Sequence, residues 1–531
     1  MCSSATAGDV YLMTLALGLR HGLSWAAQVD ILKMINALFG RKVVDDTKHT
    51  QISSLLQEPK LANDLLTYRF NREKVDEDAL EDIYDGSEYR KHCVEGGVLA
   101  NPNNFSYCFN TDGIQTGVSC SVNKTIWPIF ICVNELPLAE RQRNVLLAGI
   151  YVGRSHPNMN TFLEPFVDQA NKLSTEGVTL TNSSGEIVTS KLIPTCAVVD
   201  SPARCSMLQM NQYNSVFGCT YCYANTVHTE VGRRFSCSNV GEPRTHESTV
   251  NDMLIANEMR DTVRNKQKRR YRGVWRPSVL MGLKYFDLIK GFVPDYLHSL
   301  LLGAVKQHME ILLSQRKTEF WENMEEDTGI EHLISLLDSY IKDITPPHLI
   351  TRLPGSLANR DLWKASQWRS WLLFYAIVCM KGELKEKYLK HFGMLAVAAN
   401  ILLQKSISQS DLQFAEILLI KYCYLCEEYF GTGSMNYSIH LQLHIAQGVR
   451  SFGGLWTHNT FLYEGQNRYL LQLMSSPRKL SVQLSNKYMA YFSLSKLCKT
   501  LSSNENTVDF ITVPMVVYLG GTVNLLFLQL R

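Results

Sequence analysis

Short β-prone runs dominate the pattern of apolar and polar positions in the first half of the chain. Before them, helical spacing of apolar residues predicts a helical pair over 10–40, and the acidic, apolar-poor residues 72–92 indicate a solvated linker. FSYCFNTDG, SCSVNKTIWPIFICVNEL and NVLLAGIYVG then predict strands. MNTFLEPFVDQANKL predicts an amphipathic helix, and TSKLIPTCAVVD predicts a buried strand that ends at Asp200. This order of strands and helices indicates a mixed α/β sheet.

The second half of the chain is mostly helical in pattern. Apolar periodicity predicts helices over 281–314, 329–342, 361–380, 386–404 and 410–430, and a late helix from Phe461 to Leu473. No period of 20–50 residues repeats, which excludes a solenoid. We therefore expect an α/β core that is interrupted by a large all-α insertion and closed by the late helix.

Composition and charge narrow the class of protein. Hydrophobic residues make up 45% of the chain and charged residues 19%, which excludes disorder as the main state. The net charge is only +3, so any basic surface must be local. Fourteen cysteines in 531 residues are too sparse for a small disulfide scaffold, and no secretory leader opens the sequence. The cysteines are therefore expected to be reduced thiols or metal ligands.

Residues 511–530 form an uncharged stretch of membrane-span length. Two β-prone arms flank Gly520 and Gly521, which is a hairpin signal. This pattern favours a terminal hairpin or a poorly packed tail over a membrane anchor, so we expect no membrane partner.

Three acidic residues occupy places where catalytic carboxylates occur. Asp112 and Asp200 each end a predicted strand, the edge at which open α/β sheets bind ligands, and Glu464 lies in the late helix. Crowded carboxylates raise one another's pKa, and two hard cations such as Mg²⁺ or Mn²⁺ would remove that conflict. The alternatives are that Asp112-Gly113 is only a turn and that Asp200 is only a helix cap.

Cysteine and histidine spacing predicts a structural zinc site. Cys219 and Cys222 form a C-x-x-C knuckle, and His440 and His444 lie four residues apart, on one helix face. Together they would supply a closed Cys₂His₂ set.

A second cysteine pair competes for the same histidines. Cys423 and Cys426 stand at zinc-finger spacing before His440. Their segment, however, has the pattern of one continuous helix with no hairpin, which favours Cys219 and Cys222 as the zinc ligands.

The densest basic segment is RNKQKRRYRGVWR, over residues 264–276. Such a run can hold phosphates while its aromatic side chains stack on exposed bases. It could equally be a nuclear import signal or a solvated loop. The nucleic-acid-binding candidates are Arg264, Lys266, Lys268, Arg269, Arg270, Tyr271, Arg272 and Trp275.

Ten sequence words in order over residues 100–470 resemble the transposases of the CACTA (En/Spm) elements. They are FNTDG, IWPIFICVNELP, LLAGIYVG, HPNMNTFLEPFV, LSTEGV, VVDSPAR, GFVPDYLHSLLLG, WKASQWRSWLLFY, HLQLH and FLYEGQNRYL. The chain is also distantly similar to Transib transposases and to the catalytic core of the V(D)J recombinase, whose core is likewise split by a helical insertion.

The resemblance implies an RNase H-like core of the DDE type, in which Asp112, Asp200 and Glu464 hold Mg²⁺ or Mn²⁺. It also implies pairing of a C-x-x-C motif with a distant histidine pair. The family's Asp-x-x-His signature matches Asp295 and His298, which add to the catalytic candidates. Without the resemblance, these two residues read as a polar pair at a helix start after a proline.

The resemblance leads to a functional hypothesis. The chain is expected to be a transposase, or a nuclease and strand transferase derived from one, that acts on DNA in the nucleus as a homodimer, without a small-molecule substrate. The alternative is a domesticated, inactive DNA-binding protein, because the segment after Asp112 departs from the family's usual word.

The expected domain boundaries follow from these assignments. Residues 1–100 form an N-terminal helical region with an acidic linker, and 101–210 form the first part of the core. Residues 211–450 form the zinc knuckle and helical insertion, 451–480 the closing helix, and 481–531 a C-terminal tail.

Overall fold

The computed structural model describes residues 59–488, apart from 117–123, 182–186, 263–269, 315–317, 323–328, 349, 351 and 477. The predicted helical pair over 10–40 and the tail over 511–530 lie outside these residues. In the described part the chain is a mixed α/β structure with one mixed sheet and many helices, as the sequence predicts.

Nine strands and fourteen α-helices are present in the described part. The strands are β1 (Phe105–Thr111), β2 (Ile114–Gln115), β3 (Thr125–Val133), β4 (Leu146–Gly153), β5 (Val178–Thr181), β6 (Ile187–Ser190), β7 (Leu192–Ala197), β8 (Val227–Thr229) and β9 (Gly232–Arg234). The helices before the long helical region are α1 (Pro59–Asn71), α2 (Ser87–Arg90), α3 (Leu138–Arg143), α4 (Met159–Thr175), α5 (Ser201–Met207) and α6 (His246–Thr262).

The later helices begin with a π-helix, Tyr296–Val305, that continues into α7 (Lys306–Leu312). A second π-turn, Trp371–Tyr375, joins α9 to α10. The remaining helices are α8 (Gly329–Asp343), α9 (Ala365–Ser370), α10 (Ala376–Met380), α11 (Glu386–Leu402), α12 (Gln409–Phe430), α13 (Tyr437–Phe452) and α14 (Phe461–Gln472). Helix therefore begins at Tyr296 and not at the predicted residue 281, because Pro294 stands directly before its N-cap, Asp295.

The central sheet places β1 between an antiparallel and a parallel neighbour. β3 runs antiparallel to β1 on one side, and β7 runs parallel to β1 on the other. β4 pairs antiparallel with the far edge of β3. The predicted single strand up to Asp200 is in fact two strands, since β6 pairs with β5 in a separate hairpin and only β7 joins this sheet.

The two faces of the sheet are covered by different helices. Phe109 of β1 packs with Phe166 of α4 on one face. Cys108, the preceding residue, points to the opposite face and packs with Tyr463 of α14. Because side chains alternate along a strand, Asp112 lies on the same face as Cys108, under the helix that carries Glu464.

The acidic segment 72–92 is not a solvated linker, so that prediction is wrong. Asp82, Asp85 and Glu88 are buried beside apolar residues of the same segment. Each carboxylate has a cationic partner: Asp82 binds Arg141 at 2.7 Å, for example, and Arg72 binds Asp85 at 2.5 Å. The carboxylates are therefore charged groups of the interior, and composition alone could not show their partners.

No described helix combines the length and the apolar character that crossing a membrane would require.

Candidate active site and candidate metal centre

Asp112 lies where the β1–β3 ladder is interrupted. β1 and β2 pair with β3 in one unbroken register, which places Asp112 beside Pro128 and Gly113 beside Trp127. Pro128 has no N–H to donate. A Cβ on Gly113 would lie 2.7 Å from Cζ2 of Trp127, so this close approach requires glycine. The Asp-Gly pair is therefore a break within a strand and not a hairpin turn.

Asp200 is both a helix cap and a neighbour of β1. Its Oδ1 accepts a hydrogen bond of 2.7 Å from the Ala203 amide, which starts α5. The pairing with β1 extends past β7, since the Val198 amide donates to Phe109 O at 2.9 Å. The cap interpretation from the sequence is thus correct, and the capping carboxylate also lies at the sheet edge next to the end of β1.

Glu464 reaches the same edge from the first turn of α14. Its amide donates to the carbonyl of Thr460 at 2.9 Å, and its side chain is 45% exposed. The carboxylate Oε1 lies 3.9 Å from Nε2 of His298. Chain segments more than 160 residues apart therefore meet at this point.

The three carboxylates interact electrostatically. Burial, together with the charges of Asp200 and Glu464, raises the pKa of Asp112 to about 7. Burial also raises the pKa of Asp200 and of Glu464, with His298 opposing the change in both. The structure thus brings the three predicted acidic residues into one electrostatic site, where a cation would relieve their mutual repulsion.

Asp295 joins the starts of two helices beside this site. Its Oδ2 accepts hydrogen bonds from the His298 amide at 2.8 Å and from the Thr460 hydroxyl at 2.8 Å, and its Oδ1 accepts one from the Thr460 amide at 3.0 Å. Burial opposes ionisation of Asp295, but the hydrogen bonds from His298 and Thr460 outweigh it and lower the pKa. Asp295 therefore holds His298 and Thr460, and with them the starts of the two helices, beside the three carboxylates.

The imidazole of His298 lies between Asp295 and the acidic site. Its Nδ1 lies 2.7 Å from Oδ2 of Asp295, while its Nε2 faces Glu464. Burial disfavours the charged imidazole, but Asp295, Asp200 and Glu464 outweigh burial and raise the pKa of His298 to about 9. His298 is therefore a cation at neutral pH, held between a buried carboxylate and the acidic site.

Cys219, Cys222, His440 and His444 meet at a second centre. Cys219 Sγ lies 3.6 Å from His444 Nε2, and Cys222 Sγ lies 3.3 Å from His440 Nε2. The two Nε2 atoms are 3.3 Å apart. All four ligand atoms lie within 4.8 Å of one another. No other set of His, Cys, Asp and Glu within the described ranges is grouped this closely, the three carboxylates included.

These distances fit a tetrahedral zinc ion. Zn–S bonds of about 2.3 Å and Zn–N bonds of about 2.05 Å at tetrahedral angles require S···N of about 3.6 Å and N···N of about 3.3 Å. Burial opposes ionisation of Cys219, but a hydrogen bond from the Cys222 thiol and the nearby His444 lower its pKa. Both the spacing and the stabilised thiolate suit zinc.

The competing pair, Cys423 and Cys426, lies away from this set. Both are buried within the continuous helix α12. The Cys423 thiol donates to the carbonyl of Ile439 at 3.3 Å, and Cys426 Sγ lies 3.6 Å from the Ser434 hydroxyl. The predicted continuous helix is confirmed, and the histidine pair faces Cys219 and Cys222.

The basic segment is described only from residue 270. Arg264, Lys266, Lys268 and Arg269 lie outside the described residues. Arg270, Arg272 and Trp275 are exposed, whereas Tyr271 packs partly against the core. Of the two predicted stacking residues, Trp275 is therefore the accessible one.

Trp275 is held in place by a hydrogen bond at the edge of its indole ring and by an arginine over the face of the ring. Its Nε1 donates to Oδ1 of the buried Asn211 at 2.6 Å, and the Arg270 guanidinium lies 4.8 Å from the ring centroid. Its backbone amide donates to the carbonyl of Gln209, two residues after α5. The basic surface is thus attached to the helix that Asp200 caps.

Three residues that hold these centres carry no signal of that role in the sequence. Thr460, Arg204 and Arg244 are buried polar residues, and Thr460 and Arg204 each have a partner at least 165 residues away. Arg244 donates to the carbonyls of Cys219 and Cys222 at 3.2 Å. Only the Arg of the word VVDSPAR stood in a motif, and nothing in the pattern indicated its contacts.

Comparison with known proteins yields one finding on this site. Residues 78–264 match the model of the family described as "Transposase family tnp2". No curated protein matches the chain. The matched range contains Asp112, Asp200 and the Cys219–Cys222 knuckle but ends before His298 and Glu464. Over that range, the chain is similar to transposases of the tnp2 family.

Proposed function

We propose that the chain is a transposase, or a nuclease derived from one, that cuts DNA phosphodiesters with two divalent cations. The observation that carries this proposal is the electrostatic convergence of Asp112, Asp200 and Glu464 at one edge of the sheet. The similarity to tnp2 transposases over residues 78–264 supports the same reaction class.

The order of the sheet strands supports an RNase H-like core. An antiparallel meander of β1, β3 and β4 is followed by β7, which lies parallel to β1 and is reached through α4. On this proposal the helices between β7 and α14 form the all-α insertion, and α14 closes the core. The resemblance to CACTA transposases belongs to the same proposal.

In this reaction the carboxylates of Asp112, Asp200 and Glu464 would hold the cations. Bound Mg²⁺ or Mn²⁺ supplies activation of a water molecule and stabilisation of the leaving 3′ oxygen. His298 Nε2 lies on the same side of the site, 3.9 Å from Oε1 of Glu464, where it would donate a hydrogen bond to a phosphate oxygen. Asp295 holds the imidazole through Nδ1, so Nε2 is the nitrogen that faces the substrate.

DNA would approach along the surface of Arg270, Arg272 and Trp275. Arginines bind phosphates whatever the base sequence, and an exposed indole can stack on an unpaired base. Helix α5, of seven residues and about 10 Å long at 1.5 Å per residue, lies in sequence between Asp200 and the residues that bind Trp275. A homodimer and a nuclear location complete the proposal by resemblance.

Nicking of a supercoiled plasmid tests the catalytic proposal. Asp200→Asn should still bind DNA and keep the fold, because the amide oxygen can still accept from Ala203, but should nick at least a hundredfold more slowly in Mg²⁺. Asp411→Asn, an exposed residue at the start of α12, is the matched control and should nick normally. Undiminished nicking by the Asp200 variant would overturn the assignment.

The alternative of an inactive DNA-binding protein is decided by the same assay. It predicts salt-dependent DNA binding by the unaltered chain with no metal-dependent nicking. The presence of all three carboxylates together with the His298 cation favours the catalytic proposal over this alternative.

We also propose zinc at the Cys₂His₂ set, and metal analysis tests it. The unaltered chain should contain one zinc per molecule. Cys222→Ser should lose most of it, because serine does not supply a thiolate. Cys426→Ser is the matched control from the competing pair and should retain zinc. Zinc loss in the control with retention in Cys222→Ser would reverse the ligand assignment.

A further inference from the structure

Arg204 is a buried guanidinium that contacts both halves of the Cys₂His₂ set and two segments beside the acidic site. It lies on α5, four residues after Asp200, and its own amide donates to the Asp200 carbonyl at 3.0 Å. Its side chain is 1% exposed. Burying a guanidinium costs free energy unless its N–H groups donate hydrogen bonds, so each donor of Arg204 is expected to have a partner.

The donors of Arg204 reach both halves of the Cys₂His₂ set. Nε donates at 2.8 Å to the hydroxyl of Thr220, which lies between the two cysteines of the knuckle. One terminal nitrogen donates at 2.8 Å to the hydroxyl of Tyr437, the first residue of the helix that carries His440 and His444. The guanidinium also lies 4.6 Å from the ring centroid of Tyr221.

The same side chain reaches the segment behind the acidic site. Its other terminal nitrogen lies 3.5 Å from the carbonyl of Val293, two residues before Asp295. The nitrogen bound to Tyr437 also donates to the Ser201 hydroxyl at 3.1 Å, within the first turn of α5. Arg204 therefore links the start of the Asp200 helix, the knuckle, the histidine helix and the Asp295 segment.

The partners of Arg204 are neutral. Its hydrogen-bond acceptors are three hydroxyl groups and one backbone carbonyl. A point charge would gain little from such surroundings, whereas the planar fork of arginine can address several fixed oxygens at once. Arg204 therefore holds several neutral groups at fixed positions through hydrogen bonds and does not act as one half of an ion pair.

We propose that Arg204 is a positioning residue that makes the geometry of Asp200 depend on the Cys₂His₂ set. A metal ion at that set would hold Thr220 and Tyr437 in place through the neighbouring ligands. These two hydroxyl groups then position the guanidinium of Arg204, and the guanidinium positions the start of α5. The inference rests on the proposed function in one respect only, that Asp200 is a ligand for divalent cations.

Two measurements test the coupling without relying on cleavage. Hydrogen exchange of the amides of residues 203–207 reports the order of α5, and Co²⁺ absorption reports a tetrahedral thiolate site. Arg204→Met should keep the Co²⁺ spectrum while these amides exchange at least tenfold faster. Mn²⁺ affinity, measured by electron paramagnetic resonance, should fall about tenfold. Arg450→Met removes a more exposed arginine of α13 and should change none of these.

A double variant separates coupling from general loosening. His444→Ala should speed exchange at residues 203–207 when Arg204 is present, but should add less than twofold in Arg204→Met, since both act through one connection. Additive effects, or unchanged protection in Arg204→Met, would overturn the inference. Tyr437→Phe removes a single hydroxyl and should give a smaller change of the same kind if the methionine variant does not fold.

The outcomes for the coupling and for the catalytic proposal are distinguishable. An unaltered chain that binds no Mn²⁺ at Asp200 removes the catalytic proposal, while the exchange experiment still decides whether Arg204 transmits order from the Cys₂His₂ set. Normal Mn²⁺ binding with independent exchange keeps the catalytic proposal and removes the coupling.

Discussion

Asp295 and Asp112 are carboxylates of the same site whose surroundings shift their pKa values in opposite directions. Asp295 is buried and accepts its hydrogen bonds from His298 and Thr460, which lower its pKa. Burial and neighbouring charges disfavour the charged form of Asp112, so on the proposed function a bound cation would stabilise it. Environment, not residue type, separates these two carboxylates.

The raised pKa of His298 predicts a pH dependence of stability. Its pKa is about 9 in the folded chain against 6.5 for ordinary histidine, so its contribution is fully present below pH 6.5 and is lost as pH rises through 9. The free energy of unfolding, measured by urea titration without added Mg²⁺, should therefore fall between pH 6.5 and 9.5. In His298→Gln this fall should be smaller.

The control for this pH dependence is His332→Gln, which alters an exposed histidine of α8. It should show the same fall as the unaltered chain. Identical pH profiles for the His298 variant and the unaltered chain would contradict the assigned interaction with Asp295.

At the scale of elements, the local sequence pattern predicted many of the helices and strands. It did not predict which distant residues would pair in the folded chain. The strands that became β1, β3 and β4 follow from their short β-prone runs, and the helices α4, α12 and α14 follow from helical spacing of apolar residues. β1 and β3 are buried on both faces, so they show no alternation of buried and exposed positions. The buried acids of the 72–92 segment could not be predicted, since Asp82 finds Arg141 only in the folded chain. The same holds for Arg204 and Tyr437, which are 233 residues apart.

The break between β1 and β2 predicts a sensitive glycine. Gly113→Ala would place a Cβ 2.7 Å from the Trp127 ring, so either the ring or the Asp112 backbone must move. We expect the melting temperature to fall by several degrees and nicking to fall with it. Gly465→Ala, at a glycine of α14 with open space around it, should not lower the melting temperature.

A second change tests the cause of that sensitivity. Trp127→Leu in the Gly113→Ala background removes the colliding ring atoms and should recover part of the nicking rate relative to the single variant. No recovery in the double variant would show that the clash with Trp127 is not the reason.

At the scale of the whole molecule, the acidic segment connects the sheet to the helical region. Leu80 exchanges backbone hydrogen bonds with Ile407, and Asp82 binds Arg141 next to the sheet. Gly86 lies against the backbone of Ser451 in α13, closer than any Cβ would allow. The segment thus holds two parts of the molecule together where a linker would have left them independent.

Removing one partner of the Asp82–Arg141 pair should destabilise the whole chain. Arg141→Met leaves a buried carboxylate without its two hydrogen bonds, and such losses cost about 3–5 kcal/mol. Urea unfolding measures this free energy. Arg143→Met, a half-exposed neighbour, should cost less than about 1 kcal/mol.

The double variant Asp82→Asn with Arg141→Met provides the check. Because the two single changes remove the same interaction, the double variant should lose less than their sum. Strict additivity would mean that the pair does not interact in solution.

The long interval between Asp200 and Glu464 has a consequence during protein synthesis. A ribosome releases the sheet and its first two carboxylates some 260 residues before the helix that brings the third. On the proposed function, a growing chain cannot cut nucleic acid while it is being made. On the same proposal, truncated products that end before α14 would lack Glu464 and would not cut DNA.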